Sequence, residues 1–292
     1  MAMNISTFSI VAYAEDEEAW GVAVASKFPA VGAVVPWARA GAGAVATQSY
    51  AKIGYGPDGL DLLENGASAS EALESLLAED EQAGLRQVAM VDALGRLAAH
   101  TGSECHDWAG HKTGKGYSVQ GNLLAGEAVI EAMASGFLMS EGELADRLAR
   151  ALRAGEVAGG DRRGKQSAAM HVVRANGGYG ADNDRYLDLR VDDAAEPVLA
   201  LMDLVQLHHL YYQSTKAEDL LPIDDEIARE LQTIMIGQGY MTGEVNGLWD
   251  EVCQQVFWML IGNENLEMRW TLKENRRSID RVVLEYLRKR YG

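Results

Sequence analysis

The start of the chain contains two short runs rich in β-branched, aromatic and small residues, Thr7–Tyr13 and Trp20–Ser26. Four consecutive acidic residues, Glu15 to Glu18, lie between them, so the segment predicts a β-hairpin with a solvated turn. The second run has small residues at alternate positions, and such residues let another layer approach a strand closely. The hairpin therefore predicts a sheet that is covered on both faces.

The chain after this hairpin predicts strands and helices in separate blocks. Ser68 with Glu71, and Ser140 with Glu143, have the spacing of capping boxes and predict two helix starts. The predicted strands are 31–37, 42–48, 86–91, 97–101, 117–120, 167–173 and 185–191, and the predicted helices are 57–66, 68–77, 126–135, 140–154 and a long one from Pro197. Blocks of this kind favour a layered α+β fold over a doubly wound parallel sheet.

The regular pattern loosens around residues 213–225, where Ser214 to Asp219 are mostly polar and Pro222 follows. We interpret this stretch as a linker, which predicts a domain of residues 1–213 and a small helical domain of residues 214–292. Near the C-terminus, Ile279, Val283 and Leu287 have the spacing of an amphipathic helix with a solvated basic face.

Charge and cysteine content exclude several classes of protein. A formal net charge of −17 argues against nucleic acid as a partner, because phosphate neutralisation needs clustered lysine and arginine. Two distant cysteines, Cys105 and Cys253, exclude a disulfide framework. No apolar stretch approaches the ~20 residues that span a bilayer, and no secretion signal is recognisable. We therefore expect a cytoplasmic protein with a small-molecule ligand, no membrane partner and a homo-oligomeric state.

Several long motifs occur in the order found in the DUF1028 family, which the chain resembles over about Thr7 to Tyr212. The motifs begin at Thr7 (TFSIVA), Gly21 (GVAVASKF), Val31 (VGAVVPWA), Gly43 (GAVATQ), Trp108 (WAGH), Gln120 (QGN), Ala158 (AGGDRRGKQSA) and Asp182 (DNDR). That family is grouped with the N-terminal nucleophile (Ntn) hydrolases. The resemblance therefore implies a four-layer αββα sandwich, and the predicted small helical C-terminal domain follows it.

The resemblance also implies a site around Thr7. In an Ntn hydrolase the first residue of the first strand attacks the substrate, and its own α-amine accepts the hydroxyl proton. The implied catalytic residues are Thr7, Ser26, Lys27, Thr47 and Asn122, and the implied substrate-binding residues are Gln48, Asp161, Arg162 and Lys165. No metal or other cofactor is expected.

Two functions remain open from the residues alone. The first is a hydrolase of a small amide or peptide-like substrate, in which Thr7 acts once the chain is cut after Ser6. Because Met1 to Ser6 precede Thr7, its nitrogen is otherwise an amide, and by propensity alone Thr7 is an ordinary strand residue. The second is a non-catalytic small-anion-binding or regulatory protein on an inactive Ntn scaffold.

The segment Asp161–Gln166 is the most charged glycine-flanked stretch of the first domain. It predicts either a clamp for a substrate anion, because arginine binds carboxylates through two parallel hydrogen bonds, or a solvated loop with internal ion pairs. Cys105, His106 and His111 suggest zinc, but a closed site needs four ligands and no second pair is in view. A loop cysteine and two ordinary histidines are the better interpretation.

The C-terminal segment resembles a peptidoglycan-binding module. The resemblance rests on Gly239-Tyr240, Asn246-Gly247 and Trp249-Asp250, together with Leu231-Gln232 and Val256-Phe257. The sequence departs from that pattern at Val252-Cys253, where a threonine commonly follows. Without a recognisable secretion signal, we expect this domain to pack against its own chain or a partner subunit rather than to bind glycan.

Overall fold

The computed structural model describes residues 7–292. The chain divides into two compact units, one ending at Val205 and the other covering Gln206–Gly292. The division falls inside the helix Pro197–Tyr212.

The first unit contains two antiparallel sheets. The six-stranded sheet has the order β10-β9-β2-β1-β8-β7, and the four-stranded sheet has the order β3-β4-β5-β6. The strands are β1 Thr7–Ala14, β2 Ala19–Ser26, β3 Pro36–Arg39, β4 Gly43–Ser49, β5 Arg86–Asp92, β6 Leu97–Thr101, β7 Gly110–Gly114, β8 Tyr117–Gly121, β9 Ser167–Arg174 and β10 Arg185–Val191. The helices are α1 Tyr55–Glu64, α2 Ala69–Ala78, α3 Ala128–Leu138, α4 Leu144–Val157 and α5 Pro197–Tyr212. The predicted α+β class with antiparallel strands is confirmed.

Three apolar clusters hold this unit together. One lies between the two sheets and includes Val11 and Val24 of the larger sheet and Ala46 of the smaller one. A second joins the other face of the larger sheet to α3 and α4, and a third joins the other face of the smaller sheet to α1 and α2. Since neighbouring strand residues point to opposite faces, odd-numbered residues of β1 face the second sheet and even-numbered residues face the helices.

The predicted close approach over the second strand is confirmed at Gly21. A Cβ atom added there would lie 2.7 Å from Leu148 Cδ1 of α4, which is too close for a real contact. Glycine therefore allows α4 to pack directly on β2, as expected for a sheet with a covered outer face.

The prediction of one strand over residues 31–37 is wrong in its first half. Val31–Ala33 form a 3₁₀ turn, and β3 begins only at Pro36. Ala30 has a left-handed backbone with φ 51°, which breaks the extended path before the turn. Val31 and Val35 are nevertheless fully buried in the cluster between the sheets. A short apolar run fits a buried turn as well as a strand, so its pattern alone could not separate the two.

The predicted capping box at Ser140 is also wrong. The Ser140 hydroxyl donates to the carbonyl of Gly136 at the end of α3, and α4 begins at Leu144 with Glu143 as its N-cap. Gly142, with φ 103°, lies between them and separates the two helices. The box at Ser68 and Glu71 is confirmed, with both reciprocal hydrogen bonds present.

The second unit is mainly helical, as predicted. Its elements are the short strands β11 Leu220–Pro222 and β12 Ser278–Asp280 and the helices α6 Asp225–Gly237, α7 Glu251–Asn263 and α8 Arg281–Tyr291. The amphipathic C-terminal helix is confirmed, since Val283 and Leu287 are fully buried. Within residues 7–292, no helix is both long enough and apolar enough to cross a membrane.

A buried ion pair joins two segments of this second unit. Arg269 Nη1 lies 2.7 Å from Asp280 Oδ2, and the two side chains are 4% and 0% exposed. The guanidinium also donates to the carbonyls of His209 and Leu210, and the Thr215 hydroxyl donates to the same carboxylate. Both charges therefore have several partners in a site without solvent.

Candidate functional site

Three polar residues lie side by side at one end of the central strands of the six-stranded sheet. Thr7 pairs with Ser26 of β2, and the Thr7 hydroxyl donates to Ser26 Oγ at 3.2 Å. On the other side, the Asn122 N–H, just beyond β8, donates to the Thr7 carbonyl at 3.0 Å. All three residues are 0–2% exposed. Because Thr7 is odd-numbered, its side chain faces the second sheet.

Polar side chains of the second sheet lie opposite this row. Gln48, Gln87 and Thr101 pair in register across β4, β5 and β6. Gln48 Nε2 donates to Gln87 Oε1 at 2.8 Å and lies 3.4 Å from the Thr7 carbonyl oxygen. Gln48 Oε1 accepts from the Ser9 hydroxyl at 2.7 Å. Two facing polar rows thus meet in the otherwise apolar space between the sheets.

Gln87 was not predicted as a site residue, yet it lies at the centre of these contacts. Its Oε1 also accepts from Asn122 Nδ2 at 3.0 Å, and its Nε2 donates to the carbonyls of Gly110 and Gly121 and to Thr101 Oγ1. One signal in the sequence could have revealed it. Gln87 shares a strand face with Ala89 and Val91, so a buried amide was to be expected there.

Two of the predicted catalytic residues are directed away from this cluster. The Thr47 hydroxyl donates to the Lys52 carbonyl, and its side chain lies on the sheet face that α1 and α2 cover. The exposed Lys27 ammonium donates to the Lys165 carbonyl at 3.2 Å. The structure therefore brings together Thr7, Ser26, Gln48 and Asn122, but not these two side chains.

The charged loop of residues 161–166 consists largely of internal contacts. The Asp161 carboxylate, 1% exposed, accepts from the Lys27 N–H at 2.9 Å and pairs with Arg163 Nη2 at 2.8 Å. Lys165 Nζ lies 2.5 Å from Glu196 Oε2, and this hydrogen bond raises the pKa of Lys165. The exposed Arg162 side chain has no ion pair or hydrogen bond to other described residues. Internal pairing thus describes Asp161 and Lys165 better than an anion clamp does.

A small cavity of about 90 Å³ lies at the same end of the sheet, on its helix-facing side. Its walls include Phe8, Ala25 and Ser26 with the carboxylate-bearing residues Glu156 and Asp161. The Thr7 side chain points to the opposite face of β1, toward the second sheet. The cavity and the Thr7 hydroxyl therefore lie on different faces of the six-stranded sheet.

The residues that suggested zinc have separate partners. Cys105 donates to the Arg86 carbonyl, His106 contacts the Tyr50 hydroxyl, and His111 Nδ1 lies 2.9 Å from Thr101 Oγ1. Burial raises the pKa of the Cys105 thiol, which favours its protonated, unreactive form. Cys105 and His106 are loop residues and His111 lies in β7, and their separate partners fit ordinary structural roles.

Comparison with known proteins places the first unit in a recognised group. The model of a family of unknown function, DUF1028, matches residues 7–201, and the model of a peptidoglycan-binding domain matches residues 211–287. The crystal structure of protein SPO2555 from Silicibacter pomeroyi, assigned to the same DUF1028 model, is similar, with 33% sequence identity and a TM-score of 0.64. The similarity covers 70% of this chain and 89% of that one. No curated protein matches the chain.

Proposed function

We propose an activity from the site itself, because the chain belongs to DUF1028, a family of unknown function. The proposed activity is hydrolysis of a small amide or peptide-like substrate by an Ntn-type mechanism, with the Thr7 hydroxyl as nucleophile. The observation that carries it is the position of Thr7: a fully buried hydroxyl-bearing residue of the central strand β1, between Ser26 and Asn122. Sheets packed face to face, each with helices on its other face, fit the four-layer Ntn sandwich.

The proposed chemistry begins with hydrolysis of the Ser6–Thr7 peptide bond, which gives Thr7 a free α-amine. This amine takes the hydroxyl proton while Oγ1 attacks the substrate carbonyl carbon. The substrate C–N bond then breaks, and the leaving nitrogen receives that proton. Water hydrolyses the resulting ester and restores the Thr7 hydroxyl. In the uncut chain the Thr7 hydroxyl donates to Ser26 Oγ at 3.2 Å; when the proton passes to the amine instead, the Ser26 hydroxyl donates to Thr7 Oγ1 and stabilises the attacking oxygen.

The proposal is tested by intact-mass measurement of protein that hydrolyses any member of a panel of small amides. Active protein should have lost the mass of Met1 to Ser6, since only the cut chain has the amine that accepts the proton. Retention of Met1 or Ala2 in a preparation that still turns over substrate would rule out the α-amine mechanism.

The rate should also depend on pH through the same amine. A free α-amine has an unperturbed pKa of about 7.7–8.0, and only its neutral form accepts the hydroxyl proton. We therefore expect kcat/KM of the cut chain to rise with pH through the pKa of the amine and to level off only above that pKa. Initial rates from pH 5.5 to 9.5 measure this profile, and a rate that is constant below pH 7 contradicts the assignment of the base.

The alternative function, small-anion binding on an inactive scaffold, has weaker support. Lys165 is already paired with two carboxylates, Glu156 and Glu196, and Asp161 is paired with Arg163. Only the exposed Arg162 keeps an unengaged guanidinium among the loop residues that the structure describes. Binding by this loop would first require breaking its own ion pairs.

A further inference from the structure

The hydrogen-bond directions around Gln87 can be assigned without ambiguity. Two of the groups that surround its Nε2 atom are the backbone carbonyls of Gly110 and Gly121, at 3.1 and 2.8 Å. A carbonyl only accepts hydrogen bonds, so this end of the amide must be the NH₂ group. The oxygen Oε1 therefore faces Gln48 and Asn122.

The orientation of Asn122 follows from that assignment. Gln87 Oε1 is an acceptor, so the Asn122 atom 3.0 Å away must be the donor Nδ2. The other end of the amide, Oδ1, is buried and has no hydrogen-bond partner among residues 7–292. Asn122 was predicted to be a catalytic residue, and one N–H of its amide is already bound to Gln87 Oε1. What it offers the site is an acceptor.

An unpaired buried acceptor costs free energy, and folded proteins keep few of them. A 180° rotation of the Asn122 side-chain amide would exchange its oxygen and nitrogen. Gln87 prevents this rotation, because Asn122 Oδ1 would then face Gln87 Oε1 and two acceptors would meet. The unpaired oxygen therefore indicates that the site receives a hydrogen-bond donor that the described residues do not supply.

We infer that Gln87 is a positioning residue that turns Asn122 Oδ1 toward the α-amine of Thr7 in the cut chain. This inference rests on the proposed function, because only the cut after Ser6 creates that amine. Asn122 is the neighbour of Thr7 across the sheet, since its N–H donates to the Thr7 carbonyl and the adjacent Gly121 pairs with Phe8. With one amine hydrogen bonded to Oδ1, the nitrogen lone pair is free to accept the Thr7 hydroxyl proton.

The acceptor also changes the acidity of the amine. Oδ1 binds the charged ammonium more strongly than the neutral amine, so it raises the pKa of the Thr7 amine. The titratable side chains that the described structure places around this end of the sheets include Lys27, Glu156, Asp161, Lys165 and His111. Lys27 is hydrogen-bonded to the Lys165 carbonyl, Asp161 pairs with Arg163, and Lys165 pairs with Glu156. His111 is hydrogen-bonded to Thr101 of the polar row, and none of these contacts involves the Asn122 side chain. Loss of Asn122 Oδ1 should therefore be the main cause of any change in the pKa of the Thr7 amine.

The test measures the pKa of the Thr7 amine by competitive labelling with acetic anhydride over a pH series, with mass spectrometry of the N-terminal peptide as readout. The protein is residues 7–292 released from a leader by a specific protease, so that the amine exists whether or not the chain cuts itself. Gln87→Met and Asn122→Leu should each lower the pKa by about one unit, because a hydrogen bond to the charged form is lost.

Gln120→Met is the matched control. Gln120 is as fully buried as Gln87, but its amide binds the hydroxyls of Ser9 and Ser118 instead. Its removal should leave the pKa of the amine unchanged.

Identical amine pKa values in the wild-type chain and in folded Gln87→Met and Asn122→Leu chains would overturn the inference. An equal fall in Gln120→Met would overturn it as well, because it would reflect general loosening of the polar cluster. If Gln87→Met does not fold, the amine pKa of Asn122→Leu alone tests the inference. Failure of the proposed function has a different signature: the natural chain keeps Met1 to Ser6 and no amide is hydrolysed, whatever the amine pKa does.

Discussion

Thr7→Ala should abolish covalent capture of an electrophilic amide mimic, such as a β-lactone, by the cut chain. The wild-type chain should gain one acyl group on Thr7, because opening the lactone transfers its carbonyl carbon to Oγ1. Alanine has no nucleophile at that position, and loss of the nucleophile from a concerted set of catalytic groups typically costs on the order of 10⁴-fold or more in rate. The acyl mass and its position on the N-terminal peptide provide the measurement.

Thr47→Ala is the control for this experiment. Thr47 is also fully buried, and the sequence placed it in the same candidate site, but its hydroxyl donates to the Lys52 carbonyl on the other face of β4. Capture by this variant should proceed at close to the wild-type rate. Acylation of Thr7→Ala at the wild-type rate would show that another group reacts and would remove Thr7 from the mechanism.

Arg269→Ala should lower the free energy of unfolding of the second unit by about 3–5 kcal/mol, the usual cost of leaving one member of a buried ion pair without its partner. The Asp280 carboxylate is completely buried and would lose its charged partner, and two backbone carbonyls would lose their donor. Hydrogen exchange of peptides from residues 206–292 over a urea series reports on this unit separately from the first one.

Arg281→Ala is the matched substitution in the same unit. Arg281 pairs with Asp219 at 3.1 Å, but the two side chains are 50% and 24% exposed. Solvent screens such a pair, so its loss should cost only about 0.2–1 kcal/mol. Equal losses in the two variants would mean that burial does not govern the contribution of the Arg269 pair.

Local patterns in the sequence predict much of the first unit. The pattern of β1 and β2 and the Ser68 capping box depend on residues that are close together in the chain. They can therefore be predicted from the sequence without knowing the fold. Predictions were wrong for short segments whose residues are compatible with two different local structures. Val31 to Val35 are apolar enough for a strand and also for a buried turn, and Ser140 had another acceptor available at the end of α3.

The resemblance predicted Thr7, Ser26, Gln48 and Asn122 as site residues but not Gln87. The hairpin register, which is a local property, explains why Thr7 and Ser26 are neighbours. The importance of Gln87 depends on two sheets packing face to face, because its partners Gln48 and Asn122 come from distant segments. Likewise, the pairing of Lys165 with Glu196 depends on how the loop folds against the start of α5. Residue types alone could not show that the Lys165 ammonium is already paired with carboxylates of the same chain.

The row formed by Gln48, Gln87 and Thr101 also has a consequence for how the smaller sheet assembles. A one-residue slip of a strand turns its whole set of inward side chains to the opposite face. If β4 slipped against β5, Thr47 would face the interior and the Gln48 amide would be buried against the apolar helices α1 and α2. Because a buried amide without partners is costly, this row penalises misaligned strands and selects a single alignment during folding.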